Sequence, residues 1–459
     1  MTLRGGTLLV RAGLERYELW GPAETGLRGN DLIDTSPPAE RAYLLGLDTG
    51  GRGFDAADSV LELAALVEAA GGRVVGRAIQ RRRAPDPNTY VGKGKAAEVA
   101  GEAKRLGAEI VVCDDELTPR QQRALEELTG VRVVDRSGVI LDIFVKRARS
   151  KEGRLQVEVA QLEYMRPRLR GMWQHLERLG GGVGTRGPGE TQLESDRRVV
   201  ERRLADLKAR LGEVERQRER GRRSRSQEGL FLAALVGYTN AGKSTIMNAL
   251  AGADVIVADQ PFATLDPTTR RVALANGTVI LLSDTVGFVN KLPPTLVAAF
   301  HATLEEIGDA DLLVHVADTS HPNLHERMAV VDETLARLGL AERPRLVVLN
   351  KVDALRGPEG EALRERLAAE MPAAAQVSAL TGAGLDALRA RLAAEAARGW
   401  RRVSVRLPYS AGGLVQRIRE HGALRRADYG EAGIEVEAEV PPAFAAELER
   451  VAAEVPAGG

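Results

Sequence analysis

The stretch LFLAALVGYTNAGKSTIMNAL, residues 230–250, constrains this chain more than any other. It reads as a buried apolar strand, a turn and a helix, and between them Gly237 to Ser244 spells G-x-x-x-x-G-K-S. That spacing is the phosphate-binding loop, and it requires a strand before it and a helix after it. The chemistry follows from the residue types. Backbone N–H groups of Asn240 to Thr245 face an anion at a helix N-terminus. Lys243 is expected to pair with β- and γ-phosphate oxygens and Ser244 to bind Mg²⁺. A strand committed to this geometry calls for an α/β domain with a parallel sheet.

Three downstream segments complete a guanine-nucleotide site. GTVILLSDTVGF is a strand ending in D-x-x-G, which puts Asp284 near Mg²⁺ through water and Gly287 near the γ-phosphate, with Thr285 and Val286 between them. RLVVLNKVD ends in N-K-x-D, so Asp353 can accept from guanine N1–H and N2–H₂ while Asn350 reads the O6/N7 edge beside Lys351. Adenine offers no such donor pair, so GTP is favoured over ATP. QVSALTG supplies Ser378, Ala379 and Leu380 on the guanine side. Within the phosphate loop, Tyr238, Thr239, Ala241 and Gly242 complete the binding set.

FATLDPTTRR occupies the place of the first switch, where Thr264 is the chosen Mg²⁺-sensing hydroxyl and Thr268 and Thr269 compete for the role. Lys243, Thr264 and Gly287 are the catalytic candidates. The residue after D-x-x-G is Phe288, which can neither orient nor deprotonate water, so hydrolysis needs a group from elsewhere and unaided turnover is expected to be slow. A potassium ion is expected at Asn240, a weaker expectation than Mg²⁺.

The rest of the 459 residues must be accounted for by other parts. From about Asp58, helix and strand patterns alternate: DSVLELAALVEAAGG (capped by Asp58 or Ser59), RVVGRAI, GKAAEVAGEAKRLGA, EIVVCD, TPRQQRALEELTG (opened by Thr118 and Pro119) and VRVVDR. This is the rhythm of a small parallel α/β unit. The single cysteine, Cys113, excludes an intrachain disulfide and a multi-cysteine metal site, and reads as a buried strand thiol. VGKGKAAE lacks both the hydroxyl after the lysine and the leading glycine of a phosphate loop, and reads as a capped turn. His315, His321 and His325 read as structural or solvated, since Pro322 breaks any helix between the first two. The start has no apolar block of a signal peptide and no run approaches the ~20 residues of a membrane span, so a cytoplasmic protein is expected.

Formal charge cancels at 64 against 64, yet Arg136 to Arg225 holds 23 Lys and Arg against 13 Asp and Glu. Two long helical patterns lie in that stretch. In the second, Leu193, Val200, Leu204, Leu207, Leu211 and Val214 make a narrow seam suited to an antiparallel partner helix. Between them stands GGGVGTRGPGETQ, Gly180 to Gln192, with six glycines. It reads as the tip of a helical hairpin.

PDPNTYVGKGKAAE, DIFVKRARSKEGRLQVEVAQLEY, GGGVGTRGPGETQLESDRR, GYTNAGKST, FATLDPTTRR and DTVGFVNKLP together resemble the HflX family of ribosome-associated GTPases, from about Ala39 to the end of the GTPase domain. The resemblance implies an α/β chain: an N-terminal α/β subdomain (1–135), a helical hairpin (136–228), a P-loop GTPase domain (229–398) and a small C-terminal α/β domain (399–459). It implies binding to the 50S subunit and its 23S rRNA, the splitting or rescue of stalled or idle 70S ribosomes, and low intrinsic GTP hydrolysis stimulated by ribosomes. The hairpin loop is then an rRNA probe. Arg170, Arg178 and Arg186 supply charge, and Gly182, Gly184, Gly187 and Gly189 permit close backbone approach to phosphates. The chain is expected to act as a monomer. Two rival readings are a regulatory GTPase switch acting on a protein partner and an RNA-remodelling ATPase. The local excess of ten positive charges opposes the first, and the absence of a second phosphate-loop pattern opposes the second.

Overall fold

The computed structural model describes residues 39–50, 54–172, 197–214, 216, 231–252, 260–274, 278–293, 296 and 307–453. The chain divides into two compact units. The first holds the described residues up to Val214 together with Gln260–Leu265 and the stretch from Val289; the second holds the remaining described residues, including Asp266–Phe288.

The first unit is built on a four-stranded sheet in the order β2-β1-β3-β4, with β1 Arg41–Asp48, β2 Arg73–Arg81, β3 Ile110–Cys113 and β4 Arg132–Asp135. All its pairs are parallel, as connections through helices require. The helices are Ala56–Ala69, Lys93–Arg105, Pro119–Thr129 and Arg136–Arg147. Pro119–Thr129 opens as its sequence indicates: Thr118 and Gln121 form a reciprocal capping box with Pro119 in the first turn, and Gly130 closes it at φ 70°. The helix Ala56–Ala69 starts earlier than expected. Asp55 precedes it, and neither Asp58 nor Ser59 caps it. Ser59 is instead inside the helix, buried, with its hydroxyl donating to Asp114 Oδ2 at 2.7 Å.

The helix Lys151–Met172 and the helical residues 197–214 pack along one apolar seam of Leu155, Val159 and Leu162 with Val200, Leu204 and Leu207. Arg203–Glu158 (2.6 Å) and Lys208–Glu163 (2.7 Å) cross between them. Residues 173–196, with Arg178, Gly182, Gly184, Arg186, Gly187, Gly189 and Leu193, lie outside the described residues, as does the side chain of Arg170.

In the second unit, a six-stranded sheet runs β10-β9-β8-β5-β7-β6. Its strands are β5 Leu232–Gly237, β6 Thr268–Ala273, β7 Val279–Asp284, β8 Leu312–Asp318, β9 Arg345–Asn350 and β10 Ala375–Gln376. Only the β6–β7 pair is antiparallel. The near-continuous burial of β5, β7 and β8 is what a sheet covered on both faces demands. Helices Lys243–Ala251 and Leu385–Ala396 pack Ile246, Met247, Leu250, Leu388 and Leu392 into its core. Strands β11 Arg401–Leu407, β12 Ala423–Gly430 and β13 Gly433–Val440 follow as an antiparallel sheet in the order β11-β13-β12, covered by helices Gly413–His421 and Pro442–Ala453. Among the described residues no helix is long and apolar enough to cross a membrane.

Candidate functional site: a nucleotide cradle at the carboxyl ends of the strands

Strand β5 ends at Gly237, and two backbone facts explain why the loop after it is glycine-rich. Gly237 lies at φ 153°, where a Cβ would stand 2.3 Å from the Val316 carbonyl oxygen. Gly242, the N-cap of helix Lys243–Ala251, lies at φ 92°, where a Cβ would meet Asn350 Nδ2 at 2.2 Å. Asn240 also adopts positive φ, 62°, a conformation asparagine tolerates better than most side chains. The sequence therefore forces the chain back over itself, and the helix N-terminus turns its free N–H groups outward.

Lys243 is buried, and its Nζ donates to the carbonyl oxygens of Gly237 (3.1 Å) and Tyr238 (2.9 Å). Burial pulls its pKa down to about 8, partly opposed by the carboxylate of Asp284. Ser244 Oγ donates to Asp284 Oδ2 at 2.5 Å. Hydroxyl and carboxylate oxygen, one from the first turn of helix Lys243–Ala251 and one from the end of β7, are hard donors of the kind Mg²⁺ takes beside phosphate oxygens and water. These two residues fit the ion. Thr264, the third expected metal group, lies in Gln260–Leu265, which packs with the first unit. Thr268 stands opposite Asp284 across the β6–β7 pair, and Thr269 Oγ1 lies 3.3 Å from Ser283 Oγ. Thr245 is half-buried in the first turn of the helix.

The D-x-x-G segment is fastened to the phosphate loop by backbone. Phe288 N donates to Gly237 O at 3.1 Å, and Thr239 N donates to Phe288 O at 2.7 Å. A Cβ on Gly287 would lie 2.8 Å from Thr239 Cα and 3.0 Å from Lys243 Nζ, so only glycine fits. Thr285 is buried, its hydroxyl donating to Leu235 O, and Val286 is buried too. The Phe288 side chain is 1% exposed.

At the other end of the site, Asp353 Oδ1 accepts from Ser378 Oγ at 2.6 Å, which aims the carboxylate. Asn350 also makes two side-chain bonds within the protein, using one of its two amide hydrogens and one bond on its oxygen. Its Nδ2 donates to Ala241 O (2.9 Å) and its Oδ1 accepts from Ala379 N (3.0 Å). It thereby ties the phosphate loop to the segment after β10. Lys351 sits at φ 63° with Nζ 2.8 Å from Asp318 Oδ2, and Leu380 is 81% exposed. Thus Gly237 to Thr245, Asp284 to Gly287, Asn350, Lys351, Asp353 and Ser378 to Leu380 all occupy strand ends or the loops just beyond them in one unit. Ligands bind in such crevices of open α/β sheets.

Sequence reasoning missed three residues here. Asp318 holds Lys351, Thr319 Oγ1 donates to Asn350 O at 2.8 Å, and the Arg327 guanidinium stands 4.7 Å from the centre of the Tyr238 ring. Only DTS, directly after an apolar strand, offered a signal, and a weak one. His315 is buried, His325 is exposed beside Glu370, and His321 Nδ1 accepts from Asn323 N. Among the described residues no group of three or more His, Cys, Asp or Glu could hold a metal ion. Cys113 is buried, and burial first, then the neighbouring aspartates, push its thiol pKa well up.

Comparison with known proteins agrees with this geometry. Three family models match in succession: GTP-binding GTPase N-terminal (residues 57–145), GTP-binding GTPase Middle Region (147–225) and 50S ribosome-binding GTPase (232–351). The GTPase HflX of Lacrimispora saccharolytica is 45% identical over 420 residues, 91% of this chain and 97% of that one. That of Caldanaerobacter subterraneus is 42% identical over 412 residues, covering 90% and 94%. That of Escherichia coli K12 is 49% identical over 298 residues, covering 65% and 70%.

Proposed function

From the premise that this chain belongs to the HflX family of GTPases, and so binds GTP and GDP and hydrolyses GTP to GDP and phosphate, we propose that it acts on the large ribosomal subunit. In this reading it binds 50S in its GTP form and splits or rescues stalled or idle 70S ribosomes. One observation carries the proposal: the match to a 50S ribosome-binding GTPase model at 232–351 stands beside a separate stretch, Arg136 to Arg225, with ten more positive than negative charges. Among its described residues only Arg136 and Arg168 are buried in ion pairs with residues outside it. Charge of that sign suits an rRNA backbone. The four parts assigned from the sequence would divide the work. The hairpin tip, with Arg170, Arg178, Arg186 and the glycines 182, 184, 187 and 189, would touch 23S rRNA, and the GTPase domain would time the contact.

In the chemistry of the site, Lys243 would hold the β- and γ-oxygens, and Ser244, Thr264 and Asp284 (through water) would hold Mg²⁺, which supplies neutralisation of the developing charge. Gly287 N–H would face the γ-phosphate. Asp353 would take the guanine N1–H and N2–H₂, and Asn350 would read the O6/N7 edge while its bonds to Ala241 and Ala379 hold the loops around the base. A potassium ion beside Asn240 is the remaining assignment. Because Phe288 is buried and chemically inert, the isolated protein should turn over on the order of 10⁻⁴ to 10⁻² s⁻¹, in the range of unaided GTPases. Purified 50S subunits should raise that at least about tenfold. Turnover that is fast without ribosomes, or unmoved by them, refutes the proposal. A short Gly-Ser turn in place of residues 180–191 should spare GTP binding and abolish 70S splitting in sucrose gradients.

A further inference from the structure

We propose that Arg327 is a positioning residue for the phosphate loop, acting through the ring of Tyr238. Helix Leu324–Arg337 follows the loop after β8, and Arg327 projects from its first turn. Its guanidinium carbon lies 4.7 Å from the Tyr238 ring centre, within the reach of a cation–π contact. Arg327 Nε is buried and has no hydrogen-bond acceptor among the described residues. A buried guanidinium edge without an acceptor is costly, so the electron-rich ring face is the compensation that the structure provides.

Tyr238 is where such a contact has leverage. Its side chain is 3% exposed, its backbone bridges to Phe288, and its carbonyl oxygen is one of the two that hold Lys243 Nζ. One residue therefore separates the Arg327 cation from the ammonium that meets the β- and γ-phosphates. The segment that delivers Arg327 also fixes the base-reading loop, through Asp318 to Lys351 at 2.8 Å and Thr319 to Asn350 O at 2.8 Å. Residues 318–327 thus brace both halves of the nucleotide site, the base end through backbone-proximal polar bonds and the phosphate end through a ring. A cation over a ring has little directional demand. It can hold Tyr238 in place while the loop adjusts around phosphate, which a rigid ion pair could not do as freely.

The test uses the full chain and a fluorescent GDP analogue, with dissociation followed by stopped flow and GTP turnover measured in parallel. Arg327→Gln should release GDP about three- to tenfold faster, the range expected for losing a partly desolvated cation–π contact. It should raise KM with kcat within about twofold and leave thermal melting of the nucleotide-free protein nearly unchanged. Tyr238→Leu should also speed GDP release, and the double variant should release it no faster than the more severe single one, because both remove one interaction. Arg327→Lys, which keeps a cation, should recover most of the loss. Wild-type release by Arg327→Gln, multiplying effects in the double variant, or equal loss in the Lys and Gln variants would each overturn the proposal. No ribosome enters the assay, so its failure and that of the ribosomal reading are distinguishable.

Discussion

One wholly parallel sheet and one mainly parallel sheet in this molecule treat their carboxyl ends in opposite ways. In the GTPase sheet, β5, β7 and β9 end in Gly237, Asp284 and Asn350, and the loops beyond them bring together a helix N-terminus, the Lys243 ammonium on the Gly237 and Tyr238 carbonyls, and the Ser244–Asp284 pair. In the sheet of the first unit, β3 and β4 end beside Asp114 and Asp135, and the chain itself supplies their cations. Arg136, 1% exposed, donates to Asp114 Oδ1 (2.8 Å), Glu62 Oε2 (2.7 Å) and the Ser59 carbonyl (2.9 Å). Lys291 reaches Asp114 at 2.5 Å. Arg168, 5% exposed, reaches Asp135 at 2.6 Å and stacks on Tyr164 at 3.6 Å from its ring centre. Burial opposes the charge on Arg136, but Asp114 and Glu62 outweigh it and keep the guanidinium protonated. The same topological position is left open for a ligand in one sheet and closed by internal ion pairs in the other. A doubly wound sheet is therefore no evidence of a nucleotide site until its carboxyl ends are inspected. This also weighs against an ATP site at those strand ends in the first unit.

The largest break in the comparison should come from Arg136→Met. It leaves Asp114 and Glu62 buried without their main cation, and removing one partner of a buried pair costs about 3–5 kcal/mol. Chemical denaturation should show the first unit losing that much while GDP affinity holds to within a few-fold. If stability is unchanged, the ion pairs are not what closes that sheet. On the open side, Asp353→Asn replaces an acceptor with an amide that presents a donor to guanine. GTP affinity should fall about a hundredfold, roughly 2.7 kcal/mol, and affinity for xanthosine triphosphate should rise. Unchanged GTP affinity would remove Asp353 from the base pocket.

The contrast also explains what the sequence could and could not reveal. The open cradle was legible because each of its parts is a short run with fixed spacing: Gly237 to Ser244, Asp284 to Gly287, Asn350 to Asp353. The closed sheet was legible only as rhythm. Strand β1 went unassigned because RAYLLGLD is buried on both faces and shows no alternation to mark it as a strand. Arg136 and Arg168 were counted among the cations available to an RNA partner, yet both are buried and neutralised within the fold. Pairings such as Arg136–Glu62 and Arg168–Asp135 join residues 74 and 33 positions apart, and no local pattern announces them. The tethering bonds of Asn350 to Ala241 and Ala379 are hidden for the same reason: they span loops that meet only in the fold.

The smallest expected effect sharpens the comparison from inside the GTPase sheet, where one buried titratable group lies near the cradle without belonging to it. His315 is on β8, paired in register with Val236, and is 1% exposed. Burial pushes its pKa down to about 3, with Arg345 and Lys243 adding in the same direction. In the unfolded chain it titrates at 6.5. The unfolded state therefore binds the extra proton first as pH falls, so stability is fully present above 6.5 and declines from there toward 3. Between pH 6.5 and 5 this single group should remove about 2 kcal/mol. His315→Gln keeps polar bulk and cannot titrate, so its melting temperature should fall less over that window, whatever its value at pH 7.5. Parallel acid slopes for the two proteins would mean that His315 is protonated in the folded state and that β8 accommodates a charge beside Lys243.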